Sequence, residues 1–404
     1  MRRLTHRLKQ SIFGRPPSPA RKFSQAGIFL DQNDKLEEEK LGGYSPDHFY
    51  PMNIGDVFHT RYQVVGKLGY GGHSTVIRHD SSHGRIETEV YKHLRNVKSS
   101  HIGSVLVRRA IDDFQIRSTD NMYSYQCLVH PPLAMSLCEL RNRAIGKVLP
   151  EDLLKPTLIH LLLALDFLHA EAKIVHTDIQ ENNIMLSVED ESILVDFEKA
   201  EMSNPSPRKI IGDRVIYSSR DLGIPKVHGR PILSDFGEAR FSSSLGKQWE
   251  DVQPLIYRAP EVVLRMPWNE KIDIWNVGVL AWDLFEQRHL FYARHSERNI
   301  SDSHHLAGMI AIMGKPPKEL LEHSEYAAKF FDSDDQTGSV ELMAKRYPNG
   351  KASSHLHSLV PGDSLTFAAT LNGYPWVPNK FSQVYLIAGG AGITSHISTH
   401  PGDF

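Results

Sequence analysis

Cysteine is almost missing from this sequence: 404 residues hold two, Cys127 and Cys138. That excludes a scaffold built on disulfides and fits a reducing compartment. Long hydrophobic runs are missing as well. The longest apolar stretch, Leu158 to Ala170, is interrupted by His160, Asp166 and His169, and reads as too short and too polar to span a bilayer. Neither sign of charge is in excess, with 46 Lys and Arg against 48 Asp and Glu. Such a balance excludes a general affinity for nucleic acid or anionic membrane; any binding must come from a local patch. No internal repeat is visible, and the 22 histidines show no metal-ligand spacing. What is present is a 40% hydrophobic fraction, enough for a full core and incompatible with a wholly disordered chain. The expectation is a soluble protein of two or three domains.

Acid is absent from residues 1–30, which carry Arg2, Arg3, Arg7, Lys9, Arg15, Arg21 and Lys22. An Arg-rich leader without acid looks like a mitochondrial presequence, whereas Pro16, Pro17 and Pro19 favour a plain basic tail. An acidic cluster from Asp31 to Lys40 follows, and residues 1–45 are expected as a disordered tail. Beyond it, Tyr62 to Leu68 reads as a strand and Gly69 to Gly72 as a turn between strands. Asp152 to His169 and Lys271 to Leu284 repeat apolar residues at three and four, the period of buried helices. A short strand-rich part thus precedes a larger helical one. Residues 332–350 shift composition again, and β-like segments follow at 364–367 and 384–388.

Four ordered motifs carry chemistry. Gly69-x-Gly71-x-x-Ser74-x-Val76 fits a glycine-rich loop whose N–H groups can approach phosphate oxygens, although alone it reads as well as a plain hairpin. His176-Thr-Asp178-Ile-Gln180-Glu-Asn-Asn183 follows the long helix. An Asp with an Asn five residues on supplies what phosphoryl transfer from ATP needs: a proton acceptor for the attacking hydroxyl and a Mg²⁺ ligand. Ser234-Asp235-Phe-Gly237 supplies a second metal ligand. Tyr257-Arg-Ala-Pro-Glu261 and Asp273-Ile-Trp-Asn-Val-Gly278 close the series.

In this order the motifs resemble a eukaryotic protein kinase, and most closely the SR-protein kinase family in its fungal form. The residues carrying the closer resemblance are Tyr50 to Phe58, Arg61 to Gly69, His176 to Gln180, Ser234 to Arg240 and Arg265 to Lys271. The resemblance implies an α+β fold of two lobes, a small β-rich N-lobe over about 58–133 and a larger helical C-lobe over about 134–335. It implies a Ser/Thr kinase that phosphorylates Arg/Ser-rich splicing proteins, in the cytoplasm and nucleus, with ATP and Mg²⁺ as cofactors. It assigns Asp178 as the base and Asn183 and Asp235 as metal ligands. Leu68, Gly69, Gly71, Ser74, Val76, Glu87 and Leu128 would surround the nucleotide, with Leu128 to Leu133 as the hinge. No nucleic-acid or membrane partner is implied, and the oligomeric state is left open. Thr177 stands where most kinases have Arg, so activity should not depend on activation-loop phosphorylation.

A decoy competes with Asp235. Asp196 lies 13 residues after Asn183, the usual interval, whereas Asp235 lies 52 after it. Yet Asp235 precedes Glu261 by 26 residues, a normal activation segment, and Gly237 gives a backbone freedom that Glu198 cannot. Asp235 is therefore preferred, with an insert before it.

The pattern breaks twice. No Lys occurs between Val76 and Glu87, where the family places the third-strand lysine that holds the α- and β-phosphates. A strand, a loop and half a helix are not expected to fit in those ten residues. Gln180 likewise replaces a phosphate-contacting Lys. At the other end, nothing after Asp332 supplies the closing helices or the Arg expected against Glu261. Instead Lys345 to Ser353, Pro361 to Asp363, Tyr374 to Lys380 and Leu386 to Thr394 resemble part of an NADH–cytochrome-b5-reductase-type flavoprotein, over residues 338–395, without a complete FAD site. Both lobes are thus expected to be incomplete. The two breaks together resemble a chimeric gene model that skips an exon and runs into a neighbour. The alternative to an active kinase is a catalytically impaired scaffold.

Overall fold

The computed structural model describes residues 19–24, 26–42, 44–70, 77–78, 82–118, 122–223, 227, 229–244, 250–286, 288–292, 301–331 and 358. The chain divides into two compact units, Met1–Tyr292 and Ala293–Phe404. Gly71, Ser74 and Val76, and all but Ser358 of the reductase-like segment, lie outside the described residues.

The fold is mixed α+β. A ribbon of β1 (Val57–Phe58) and β2 (Tyr62–Gln63) opens the first unit. The strand predicted over 62–68 is therefore only its first two residues. The Val64 carbonyl accepts from Gly55 and its N–H donates to Asp56, which closes the ribbon. Next come β3 (Ile77–Arg78), α1 (Ser82–Asn96), β4 (Asp112–Arg117) and β5 (Ser124–Val129). They form an antiparallel sheet in the order β3-β5-β4, with Ile77 opposite Gln126 and Phe114 opposite Cys127. This corrects the spacing argument: strand and helix do fit before Glu87, because the strand is cut to two residues and the helix begins at Ser82. Helix α1 buries Val90, Tyr91 and Leu94, while Arg95 on another face reaches Asp113 at 2.9 Å.

Strand β6 (Leu133–Ser136) runs into α2 (Leu137–Arg143), whose start is fixed by the reciprocal Ser136–Glu139 capping box. Helix α3 (Glu151–Asp166) continues through a π-turn at Phe167–Ala172. The whole stretch is 22 residues, longer than its apolar run, and long and apolar enough to cross a membrane by length and composition. Leu161, Leu165, Phe167 and Leu168 are nonetheless buried within this unit, as a core helix requires. Gly103 lets the 3₁₀ turn Ile102–Val105 touch that helix, since a Cβ there would stand 1.8 Å from the Leu163 carbonyl oxygen.

Strands β7 (Ile174–Val175) and β8 (Ile184–Ser187) follow, then α4 (Ser192–Ser203), the hairpin β9 (Arg208–Ile211) and β10 (Arg214–Tyr217), β11 (Pro231–Leu233) and β12 (Arg240–Phe241). Strand β11 pairs directly with β8, Leu233 opposite Ile184. Helix α4 and the β9–β10 hairpin are thus the insert that the 52-residue interval demanded. Asp196, the decoy, is exposed on α4. Helices α5 (Pro260–Val263) and α6 (Lys271–Phe285) end the unit, around a cluster of Val175, Val252, Ala259, Val262, Trp268 and Ile272. In the second unit the described elements are α7 (Asp302–Met313), α8 (Lys318–Glu322) and a 3₁₀ turn at Ala327–Lys329.

The stretch before β1 differs from the tail expected over 1–45. Leu30 N–H donates to the Arg208 carbonyl, and Lys209, 2% exposed, pairs with Glu39 at 2.6 Å. Lys67 pairs with Glu37 and Glu38, and Ser219 donates to Glu37. The acidic cluster binds lysines of the insert and of the segment after β2, which composition alone could not show.

Candidate active site

The loop between β7 and β8 is held from beneath by one carboxylate. Asp273, fully buried on α6, accepts the N–H groups of His176 and Thr177 at 2.8 Å each, and His169 Nε2 lies 2.8 Å from Oδ2. Thr177 takes φ 66°, a strained conformation for a β-branched residue. Its hydroxyl donates to the Glu238 carbonyl oxygen at 2.6 Å, which ties the loop to the segment after Asp235. No cation stands at position 177, as the sequence indicated.

Asp178 emerges from this platform. Gln180 Nε2 donates to its two carboxylate oxygens at 2.9 and 3.1 Å, and Asn183 Nδ2 donates to Oδ2 at 2.6 Å. Asn183 also connects to the second motif: its carbonyl accepts from the N–H and hydroxyl of Ser234 at 2.8 and 2.9 Å. Asp235, next in the chain, has φ 65° and accepts from Gly237 N–H at 3.2 Å. Phe236 is fully buried, edge-on to Tyr91.

Asn183 and Asp235 line a cleft of about 850 Å³ together with Leu68, Gly69, Glu87 and Leu128. The structure brings those expected site residues together; Asp178 stands beside the cleft, bonded to Asn183. The expected hinge, Leu128 to Leu133, spans the end of β5, the connection His130-Pro-Pro132 and the start of β6, and Leu128, His130, Pro131, Pro132 and Leu133 line the same cleft. Glu87 has no ion-pair partner among the described residues. Burial, then the nearby Asp235 charge, push its carboxyl up to about 7 against the opposing pull of Arg108.

Arg108 and Tyr91 stand at the site although the sequence did not single them out, and His130 was expected only as part of the hinge. Arg108 N–H donates to the Leu233 carbonyl at 2.8 Å, two residues before Asp235. Burial and the Arg108 charge lower His130 to about 3, so it is neutral. No spacing marks them; the Arg108-Arg109 pair was the one visible signal. Below the loop, Arg141 grips Glu181 bidentately at 2.6 and 2.7 Å.

Among known proteins, the model of the protein kinase domain matches residues 226–347, and that of the oxidoreductase FAD-binding domain matches 324–373. The C-terminal segment is thus a partial FAD-binding oxidoreductase domain, matched somewhat earlier than the 338–395 read from motifs. A serine/threonine protein kinase of Aspergillus fumigatus is 42% identical over 358 residues, covering 83% of this chain and 86% of the relative. The serine/threonine-protein kinase SRPK of Physarum polycephalum is 27% identical over 79% of this chain and 81% of its own. SRSF protein kinase 3 of Sus scrofa is 31% identical over 43% of this chain and 33% of its own. With the loop, the cleft and a 42% identical relative in agreement, the chain belongs to the serine/threonine protein kinases, with relatives among the SR-protein kinases.

Proposed function

We propose that the chain transfers the γ-phosphate of Mg-ATP to serines of Arg/Ser-rich proteins. The observation that carries this reading is the chain of hydrogen bonds that joins Asn183 to Asp178 and, through Ser234, to the segment that bears Asp235, with Asn183 and Asp235 both lining the cleft. Asp178 orients the attacking hydroxyl and accepts its proton. Leu68, Leu128 and Met185 are apolar lining residues suited to adenine, and Glu87, Arg108 and Asp235 are charged groups of the same lining. In this reading residues 58–133 and 134–335 are the two lobes, and splicing-protein substrates imply a cytoplasmic and nuclear location.

The donor set suits magnesium. Asn183 Nδ2 is engaged by Asp178, which leaves Oδ1 for a cation, and Asp235 offers carboxylate oxygen. Two hard oxygen ligands, completed by phosphates and water, are a usual complement for Mg²⁺. Among the described residues no cluster of three or more His, Cys, Asp or Glu could hold a metal unaided. When bound, the ion neutralises charge on the transferring phosphoryl group.

A second reading, an impaired scaffold, is favoured by the missing third-strand Lys and by Glu87 having no ion-pair partner among the described residues. Incubation with labelled Mg-ATP and peptides of Arg-Ser, Lys-Ser and acidic-Ser repeats separates the two. Preferred labelling of the Arg-Ser peptide, reduced roughly 100-fold or more by Asp178→Ala, is expected. ATP binding without transfer to any peptide would establish the scaffold instead. Equal labelling of all three peptides would remove the substrate class and leave the kinase.

A further inference from the structure

Glu87 and Asp235 put two carboxyl groups in the lining of the cleft, with no lysine on β3 beside them. We infer that Arg108 is the cation that binds the nucleotide phosphates in this chain, a role that rests on the nucleotide reading above. Val107 pairs with Leu233 in an isolated bridge, and the two arginines that follow it make different contacts. Arg109 turns inward: Nε donates to the Ser104 carbonyl at 3.0 Å, and the guanidinium lies 5.6 Å from the Phe167 ring centroid. Arg108 lines the cleft with Glu87, Asn183 and Asp235.

Two polar groups there have no partner. Arg108 Nε is buried without a hydrogen bond, and among the described residues the guanidinium makes no ion pair. The Tyr91 hydroxyl, on a side chain 1% exposed, is also unbonded. Tyr91 feels the charges of Glu87, Arg108 and Asp235, so all four groups share one corner. Buried donors normally find an acceptor, and a polyanion offers several oxygens to a planar guanidinium. The main chain fixes the approach, because Val107 bridges Leu233 and Arg108 N–H binds its carbonyl, just ahead of Asp235. An arginine displaced from β3 onto this neighbouring segment reaches the same ligand from another wall.

The test is equilibrium binding of ATP and of adenosine to the full chain, each with wild type, Arg108→Gln, Arg108→Lys and the exposed control Arg85→Gln. Losing a charge-assisted contact should weaken ATP roughly 10- to 100-fold in Arg108→Gln and leave adenosine unchanged. Arg108→Lys should recover part of the loss, and Arg85→Gln should match wild type. ATP affinity in Arg108→Gln equal to wild type overturns the proposal. So does an equal fall for ATP and adenosine, which marks a structural role. A wild type that binds adenosine but not ATP also overturns it. Failure of wild type to bind either ligand removes the nucleotide reading, and Arg108's role with it.

Discussion

At the scale of single residues, the site depends on one buried carboxylate that touches no substrate. Asp273 takes two backbone N–H groups of the loop that presents Asp178. Asp273→Asn keeps the volume, but an amide has one acceptor oxygen and turns an NH₂ toward a donor. A buried N–H left unpaired costs about 1–3 kcal/mol. The expected result is a melting temperature lower by several degrees and a kcat that falls further than ATP affinity does; calorimetry and steady-state kinetics read both. Unchanged values would show that the platform is held elsewhere. At this scale the five-residue interval from Asp178 to Asn183 was legible in the sequence, whereas Asp235 had to be picked out by its distance to Glu261 and by Gly237, because the insert breaks the usual spacing. Arg108 was not legible, because its place beside the cleft depends on the long-range pairing of Val107 and Arg108 with Leu233, which no local spacing records.

At the scale of elements, the described residues that follow Ser234, up to Ser244 and from Glu250 to Glu261, are tied to the rest of the unit by contacts of the protein itself. Strand β12 pairs with β7, Thr177 holds the Glu238 carbonyl, and Arg240 pairs with Glu250 at 2.5 Å and donates to the Glu238 carbonyl at 2.7 Å. No phosphate is needed for these contacts, so phosphatase treatment should leave peptide phosphorylation unchanged. Arg240→Ala should raise protease sensitivity within 234–261 and lower turnover severalfold, with ATP affinity preserved. Glu261 has no ion pair among the described residues, and burial raises its pKa above the ordinary carboxylate value. The folded state therefore keeps this proton at pH values where the unfolded chain has released it. Stability contributed by Glu261 should fall as pH rises above about 4.5 and through the raised pKa, and Glu261→Gln should flatten that decline in denaturant titrations. The shortened β3 was not legible in the sequence, because two residues satisfy a strand when a neighbour such as β5 supplies the pairing.

At the scale of the whole chain, the acidic stretch before β1 is part of the folded first unit. Deleting residues 1–40 removes Glu37, Glu38 and Glu39, the carboxylates that Lys67 and the buried Lys209 pair with among the described residues. Breaking a buried pair costs about 3–5 kcal/mol, so the truncated chain should melt markedly earlier in a thermal scan. Composition marked this stretch as acidic, but its partners Lys209 and Ser219 lie 175 and 182 residues from Asp34 and Glu37, and local patterning carries no trace of them. The kinase assignment itself needs one direct check: single-turnover transfer from γ-labelled Mg-ATP to an Arg-Ser peptide, by wild type and Asp178→Ala. The account expects transfer by wild type and a loss of roughly 100-fold or more in the variant. No transfer by wild type, or equal rates in both, would contradict it.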